Sequence, residues 1–337
     1  MYNFRTDMAV ERRDLYKKAN NIENDIDGIE TEEEKVDEDI TISRVNITNE
    51  NGEQAIGKKK GTYITIDIKN LKIASEPDIQ KASTALTKEL RNLVSKHAEP
   101  QDSLLVVGLG NIYVTPDSLG PKVVQDIDIT RHIMEYVPDA IDKNARPVSA
   151  ISPGVLGTTG IETLEILKGI VDNIKPKLII IIDALASRSM ERISSSVQLA
   201  DTGIVPGAGV GNKRKEITKD TLGVPVIAIG IPTVVEAATI AADSLDMFIK
   251  KLQEEAKSNE YLNKIQEEDK YEMIKEVLTP SDYNFIVTPK EIDDLIKALD
   301  KGCDGYILKD SDLDTLKKAI MTVYKGETYI EPSLVPL

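Results

Sequence analysis

The stretch "KLIIIIDALA" (177–186) decides the fold class of this 337-residue chain. Four consecutive isoleucines are followed directly by Asp183, and a short continuous aliphatic run of this kind is typical of a strand buried on both faces. The runs "SLLVVGLG" (103–110) and "VPVIAIGIP" (224–232) have the same character. Because segments with helical spacing separate these strands, the sequence predicts an α/β fold with a mostly parallel central sheet and helices on both faces.

The helical segments are indicated by apolar residues that recur every three or four positions. They cover residues 77–97, 121–137, 162–175 and 236–257. Each is long enough to cover a sheet, so the alternation of strands and helices extends over most of the chain.

The N-terminal region has a different pattern. Apolar and polar residues alternate in "ISRVNIT" (42–48) and "GTYITIDI" (61–68), which predicts two strands, and residues 49–60 between them are expected to be a loop. The pair predicts an added β-hairpin-like region. Residues 21–39 are rich in Asp and Glu, and like charges that repel one another are expected to stay in a solvated loop or on a helix face.

The amino-acid composition excludes several classes of function. The net charge of −15 disfavours binding to nucleic acid or to anionic membranes. A single cysteine, Cys303, excludes an intrachain disulfide. The sequence contains neither an apolar run of about 18 residues nor a signal peptide. We therefore expect a cytoplasmic protein of one large domain or two ordinary ones.

Two strand ends carry an acid. Asp117 lies in the loop after the strand 103–110, and Asp183 ends the isoleucine strand. Sites in such sheets form at the carboxyl ends of the strands, so neighbouring strands can bring the two together. A carboxyl group against an apolar wall tends to stay protonated, and two that share a proton can act as base and acid on water and an amide. A lone Asp here is more often a helix cap or a loop anchor, so each alone is weak evidence.

Other chemistries fit the sequence less well. The loop "GLGNIY" lacks the third glycine of a dinucleotide-binding loop, because Tyr113 stands there. His97 and His132 both lie in predicted helices, and no clustered Cys or His motif for a metal is present. Cys303 lies far from the predicted site, which argues against a cysteine nucleophile. No metal or cofactor is required by these patterns.

Two glycine-rich segments, "ISPGVLGTTGIET" (151–163) and "GIVPGAGVGNKR" (203–214), are either turns or backbone that approaches an extended ligand. With the glycines of the loop before Asp117 they supply the candidates for a substrate cleft. These candidates are Gly108, Gly110, Asn111, Gly154, Gly157, Thr158, Gly207 and Gly209.

Several of these stretches together closely resemble the spore germination proteases of Bacillus and Clostridium relatives. The matching stretches are "RTDMAVE", "GKKKGTYITI", "VVGLGNIYVTPDSLGP", "ISPGVLGTTGIET", "IIDALASRS", "DTGIVPGAGVGNKR", "GVPVIAIGIPTVVEAATI" and "TPSDYNFIVTPKEIDDLI", and they extend from residue 5 to residue 296. The resemblance implies an endopeptidase that degrades small acid-soluble spore proteins in the spore core during germination, and an assembly of four identical subunits. It also implies an atypical aspartic mechanism with Asp117 and Asp183 as the essential pair, although the activity was formerly classed among metalloendopeptidases.

The resemblance further implies a fold similar to that of hydrogenase maturation proteases. A metal-dependent peptidase of that type is therefore the alternative function, but its usual histidine has no counterpart at a strand end here. A non-enzymatic signalling module is a second alternative, suggested only by the tail. Residues 301–337 resemble the end of a receiver domain, with Lys309 in its last strand, yet they are too few to form one.

The same resemblance implies that the stretch "RTDMAVE" (5–11) is a cleavage site. The resemblance implies that substrates are cut after a glutamate and before a bulky apolar residue, with alanine next and another acid further on; here Asp7 takes the place of the glutamate. The bond between Asp7 and Met8 fits this pattern. Residues 1–7 are thus predicted to be a propeptide that the protein removes itself, and residues 8–300 the protease domain. Glu11 is expected to meet a basic residue that the sequence does not identify.

Overall fold

The structure is a computed structural model that describes residues 5–69, 71, 76–142, 145–212, 214–241, 286–287, 305–306 and 329–330. The chain divides into two compact units, residues 1–287 and 288–337. In the second unit the described residues form a short parallel strand pair, Gly305–Tyr306 with Tyr329–Ile330. The helix expected over 236–257 lies outside the described residues beyond position 241, as do Cys303 and Lys309.

The first unit is built on one sheet. Its strands are β1 (Ile29–Lys35), β2 (Ile40–Ile47), β3 (Gly61–Ile68), β4 (Leu104–Gly108), β5 (Val148–Ile151), β6 (Leu178–Ser187), β7 (Ser196–Ala200), β8 (Val226–Glu236) and β9 (Ile286–Val287). The helices described are α1 (Ala9–Ala19), α2 (Glu50–Ile56), α3 (Glu76–Ser95), α4 (Leu119–Asp126), α5 (Arg131–Tyr136), α6 (Leu156–Thr159), α7 (Thr163–Ile174) and α8 (Lys219–Leu222), with short 3₁₀ turns that include Thr115–Asp117 and Ala208–Val210.

The sheet is mixed. Its order is β1-β2-β3-β7-β8-β6-β4-β5, with β9 paired to β8. The strands β8, β6, β4 and β5 are parallel, whereas β1, β2, β3 and β7 pair antiparallel. The prediction of a mostly parallel sheet therefore holds for only one half. Residues 188–195 between β6 and β7 are too few for the crossover that a parallel strand needs, so β7 returns antiparallel.

Alternation along the strands divides the core between the two faces of the sheet. Ile180 of β6 packs with α3 on one face, together with aliphatic side chains of β2, β3, β7 and β8. Ile179 and Ile181 pack with α7 on the opposite face, beside β4. Further along that second face, α1 and α2 cover β2 and β3 through Ala9 and Ile56. Helices lie on both faces, as the sequence predicts.

The N-terminal strands differ in detail from the sequence expectation. β2 and β3 pair antiparallel, but their connection is not a loop, because it contains α2, whose first turn is capped by the side chain of Asn49. Part of the acidic stretch, expected as a loop or helix face, forms the edge strand β1. The negative charge of β1 is partly balanced by Arg44 of β2, which forms ion pairs with Glu34 of β1 and with Glu89 of α3, each at 2.7 Å.

The segment 121–137, expected as one helix, is split into α4 and α5. The break comes before Thr130, which binds the start of β5 instead of continuing the helix. Its N–H donates to the carbonyl of Val148 (3.1 Å), and its hydroxyl accepts from the N–H of Val148 (2.8 Å). The helices expected over 77–97 and 162–175 are present as α3 and α7. No helix in the described ranges is both long and apolar enough to span a membrane.

Candidate active site

Asp183 lies in the middle of β6 and not at its end, where the sequence predicts it, because pairing with β8 continues the strand to Ser187. The neighbouring strand β4 does end here, where Gly108 pairs with Ile182, and Asp183 is only 6% exposed. Its Oδ1 accepts a hydrogen bond from the N–H of Ala184 at 2.9 Å. Burial raises the pKa of Asp183 well above its ordinary value, and the nearby carboxylates of Asp117 and Asp7 raise it further. The arrangement therefore favours a neutral, protonated Asp183.

Asp117 ends the 3₁₀ turn Thr115–Asp117 that follows β4. Its Oδ2 accepts the N–H of Asn111 at 2.8 Å. Burial raises the pKa of Asp117, and the hydrogen bond from Asn111 opposes that rise because it stabilises the ionised form. Gly110 makes this loop possible: its φ is +117°, and a Cβ there would lie 1.9 Å from the carbonyl oxygen of Asp117.

A hydrogen bond from β8 holds the Asp117 turn in place. The hydroxyl of Thr233 donates to the carbonyl of Pro116 at 2.7 Å. Leu185 of β6 pairs with Pro232 and Ala186 with Val234, so Thr233 forms a bulge in β8 without a partner in the β6 register. The bulge directs its side chain toward the turn. The turn after β4 is thus attached to β8, which pairs with the strand that carries Asp183.

The N-terminal segment is bound to this end of the sheet. The N–H of Asp7 donates to the carbonyl of Ala186, and the N–H of Ala186 donates to Oδ2 of Asp7, both at 2.9 Å. From β7, the side chain of Gln198 donates through Nε2 to the carbonyl of Asp7 (3.1 Å) and accepts through Oε1 from the N–H of Ala9 (2.7 Å). These four bonds fix the backbone on both sides of Met8.

The segment crosses the face of β6 that carries Asp183. Asp183, Leu185 and Ser187 share one face of the strand because side chains alternate. Met8 is fully buried, and with Val10 it packs against Leu185. Met8 and Val10 therefore pack on the side chain that is the next one after Asp183 on this face of the strand.

Glu11 anchors the far end of the segment. It is 4% exposed, and its carboxylate is surrounded by donors from the end of β6 and the turn that follows. The donors are the hydroxyl of Ser187 (2.8 Å), the N–H groups of Arg188 (2.7 Å) and Ser189 (3.1 Å), the guanidinium of Arg192 (3.2 Å) and the hydroxyl of Thr6. The basic partner expected for Glu11 is Arg192.

The glycine-rich loop 203–212 closes over residues 5–7. A Cβ on Gly209 would lie 2.1 Å from Oδ2 of Asp7, so only glycine leaves room for that carboxylate. Gly207 has a φ of +71° and turns the chain back toward Asn212. Arg5 donates to the carbonyl of Val210 at 3.5 Å and lies 3.9 Å from Glu236. Two of the predicted cleft glycines thus shape the binding of the N-terminal segment.

The other cleft candidates have different surroundings. Gly108 permits close packing, since a Cβ there would lie 2.1 Å from the carbonyl oxygen of Gly120 in α4. The hydroxyl of Thr158 donates to the carbonyl of Val155 within its own turn, at 2.9 Å. Gly154 has a φ of +75°, and a Cβ on Gly157 would meet open space. None of these contacts connects the segment 154–158 to the acids.

Comparison with known proteins decides the family. The sequence model of the germination protease family matches residues 6–265.

The chain belongs to the germination protease family.

Germination proteases of Clostridium acetobutylicum, Caldanaerobacter subterraneus and Priestia megaterium are 48%, 51% and 44% identical to it. The alignments cover 89%, 88% and 88% of this chain and 93%, 90% and 90% of those proteins, in the same order. The family match includes Asp7, Asp117 and Asp183, so the docked segment and both acids belong to the part shared with these peptidases.

A cavity of about 480 Å³ opens beside Asp7 in this family member. Arg12, Lys58 and Gln198 are among its lining residues. Burial lowers the pKa of Lys58 to about 8, although the carboxylate of Asp7 opposes this effect. The cavity offers room and positive charge next to the bound segment.

The histidines lie away from these acids: His132 is exposed on α5, and His97 lies in the turn after α3. Across the described ranges, no group of three or more His, Cys, Asp or Glu side chains has the geometry to hold a metal ion. Nothing in the described site supports the metal-dependent alternative.

Sequence reasoning missed Gln198 and Thr233. Gln198 is a polar residue in the centre of a short buried strand, "SVQLA" (196–200). A buried amide must find hydrogen-bond partners, which was the available indication that it binds something. Thr233 gave no comparable indication, because its role depends on the bulge in β8.

Proposed function

We propose that the chain is the precursor of an endopeptidase, that it cuts its own Asp7–Met8 bond, and that the matured form degrades small acid-soluble spore proteins during germination. One observation carries the proposal. Residues 5–11 bind over the face of β6 that carries Asp183, and Asp7 lies close enough for its charge to raise the pKa of Asp183. The bond predicted for cleavage is therefore held over the strand that carries Asp183.

The proposed mechanism is of the aspartic type. Asp117, stabilised as a carboxylate by the N–H of Asn111, takes a proton from the attacking water. Asp183, whose pKa is raised further by its burial and neighbours, keeps its proton and gives it to the leaving nitrogen. The two carboxyl groups share one proton before and after the reaction, so the pair titrates as a unit.

The bound segment also accounts for an inactive precursor. Residues 1–7 form the propeptide in this proposal, and residues 8–300 the protease domain. Because Asp7, Met8 and Ala9 fill the surface beside the acids, a protein substrate has no access until the segment is cut and moves. The donors around Glu11 would then be available to an acidic residue of a substrate.

The proposed substrates, assembly and location rest on the chain's resemblance to the germination proteases. The net charge of −15 favours encounter with basic proteins. The more basic of the small acid-soluble spore proteins are partners of this kind. The proposal includes a homotetramer in the spore core, formed in the forespore.

The test is cleavage of a purified small acid-soluble spore protein by the matured wild-type chain and by Asp117→Asn and Asp183→Asn. Asparagine preserves size but cannot exchange the proton, so each change should reduce the rate by about 10²–10⁴-fold or more. Cleavage products are followed by mass spectrometry. Near-normal cleavage by a folded Asp183→Asn protein would contradict the mechanism.

A further inference from the structure

We propose that Gln198 is the hydrogen-bond donor to the oxyanion that forms when the Asp7–Met8 bond is cut. The inference rests on the self-cleavage proposed above. Nε2 of Gln198 lies 3.1 Å from the carbonyl oxygen of Asp7, which is the oxygen of the bond to be cut. Gln198 lies on β7, and no motif of the sequence points to it.

The orientation of the amide is determined by its partners. Amide oxygen and nitrogen are assigned from the hydrogen-bond network. The backbone N–H of Ala9 can only donate and the carbonyl of Asp7 can only accept, so Oε1 must face Ala9 and Nε2 must face Asp7. The bond from Ala9, at 2.7 Å, holds the amide in this orientation.

The side chain is also preorganised. Gln198 is 7% exposed and belongs to a strand paired on both sides, opposite Thr65 of β3 and Gly230 of β8. A buried donor on a rigid strand needs no reorganisation when charge develops, and low local polarity strengthens its effect. A neutral amide also keeps its donor at any pH at which the acids work.

The bond changes place the developing charge at this donor. The water oxygen bonds to the carbonyl carbon of Asp7 while a carboxylate of the pair takes the water proton. The carbonyl π electrons move onto the oxygen, which faces Nε2 of Gln198. When they return, the carbon–nitrogen bond breaks and the nitrogen of Met8 takes a proton from the other carboxyl group. Gln198 exchanges no atom, and its hydrogen bond strengthens only while the oxygen is charged.

The experiment measures the first-order rate at which residues 1–7 are lost, by mass spectrometry of full-length precursors. Gln198→Met removes the donor and keeps the length of the side chain. Gln198→Glu replaces the donor by a carboxylate. Gln80→Glu, on the exposed side of α3, is the matched control for the charge change. Protection of Arg12 and Arg13 from added trypsin reports whether the segment stays bound, and circular dichroism reports folding.

Loss of one oxyanion donor should slow processing by about 10²–10³-fold, with trypsin protection retained and Gln80→Glu unchanged. A rate within about threefold of wild type in either folded variant would overturn the inference, as would loss of trypsin protection in parallel with the rate, because Gln198 would then only hold the segment. If Gln198→Glu does not fold, Gln198→Met decides alone, since methionine suits a buried strand position. A wild-type cut at another bond would instead contradict the proposed function.

Discussion

The raised pKa of Asp183 comes from burial in its own strand and from two neighbours that are remote in sequence. A strand buried on both faces removes water from its carboxyl group, and the charges of Asp117 and Asp7 oppose its ionisation. Each acid accepts one backbone N–H, but the pKa of Asp117 is raised by burial alone, with no added effect of a neighbouring charge. Sequence reasoning selected the two acids from their predicted positions at strand ends. It could not assign their roles, because the difference comes from the fuller burial of Asp183 and from the charge of Asp7, which is remote in sequence.

The raised pKa of Asp183 predicts a stability effect with a definite sign. The folded state holds its proton at pH values where the unfolded chain has lost it, so wild-type stability falls as pH rises from about 4 through the raised pKa. Asp183→Asn removes that loss. Its melting temperature should equal that of wild type near pH 4 and exceed it by at least about 2 °C near pH 7. Asp172→Asn, on the exposed side of α7, should show no such difference. A destabilised Asp183→Asn at neutral pH would contradict the assigned protonation.

The same pKa predicts how self-processing depends on pH. In the proposed mechanism, cleavage needs a proton on Asp183 and a carboxylate on Asp117, and alkaline solution removes that proton. The rate of loss of residues 1–7 should therefore be higher at mildly acidic pH and fall as pH rises through the raised pKa. Quenched time points analysed by mass spectrometry give the profile. A rate that climbs steadily into the alkaline range would point to a different base.

At the scale of elements, strands buried on both faces were predictable and the rest of the sheet was not. β4, β6 and β8 contain continuous aliphatic runs, a pattern that is typical of strands buried on both faces. β1 is a strand of glutamates at the sheet edge, where pairing with β2 overrides the charge pattern. The antiparallel half follows from connection lengths and from β7, whose five residues carry little pattern. The binding of residues 5–11 depends on Ala186 and Gln198, which no local pattern connects to the N-terminus.

The loop 203–212 offers a test of that binding. Gly209→Ala places a methyl group where Oδ2 of Asp7 lies, so the segment must shift. A misplacement of this kind should slow processing by about tenfold to a hundredfold. Gly169→Ala in α7 is the control, because a Cβ there meets nothing within 4 Å. It should leave the rate unchanged and stabilise the helix by about 0.5–1 kcal/mol. Equal processing of the two variants, measured by intact mass, would mean that the loop does not position Asp7.

At the scale of the molecule, the site belongs to the first unit. Every residue used in the mechanism lies between Asp7 and Gln198, within residues 1–287. The tail 301–337 is therefore expected to contribute no chemistry. A chain that ends at Leu299 should still cut a peptide at a measurable rate, followed by chromatography, with folding checked by circular dichroism. A folded truncated protein with no activity would assign the tail an essential role.

The whole account depends on one proposed event, removal of residues 1–7 by the chain's own two acids. The direct measurement is the intact mass of wild-type and Asp183→Asn precursors incubated side by side at mildly acidic pH. We expect the wild-type chain to convert to a product that begins at Met8, and the Asp183→Asn chain to keep its full mass. A stable wild-type product that begins elsewhere, or equal conversion of both chains, would contradict the account.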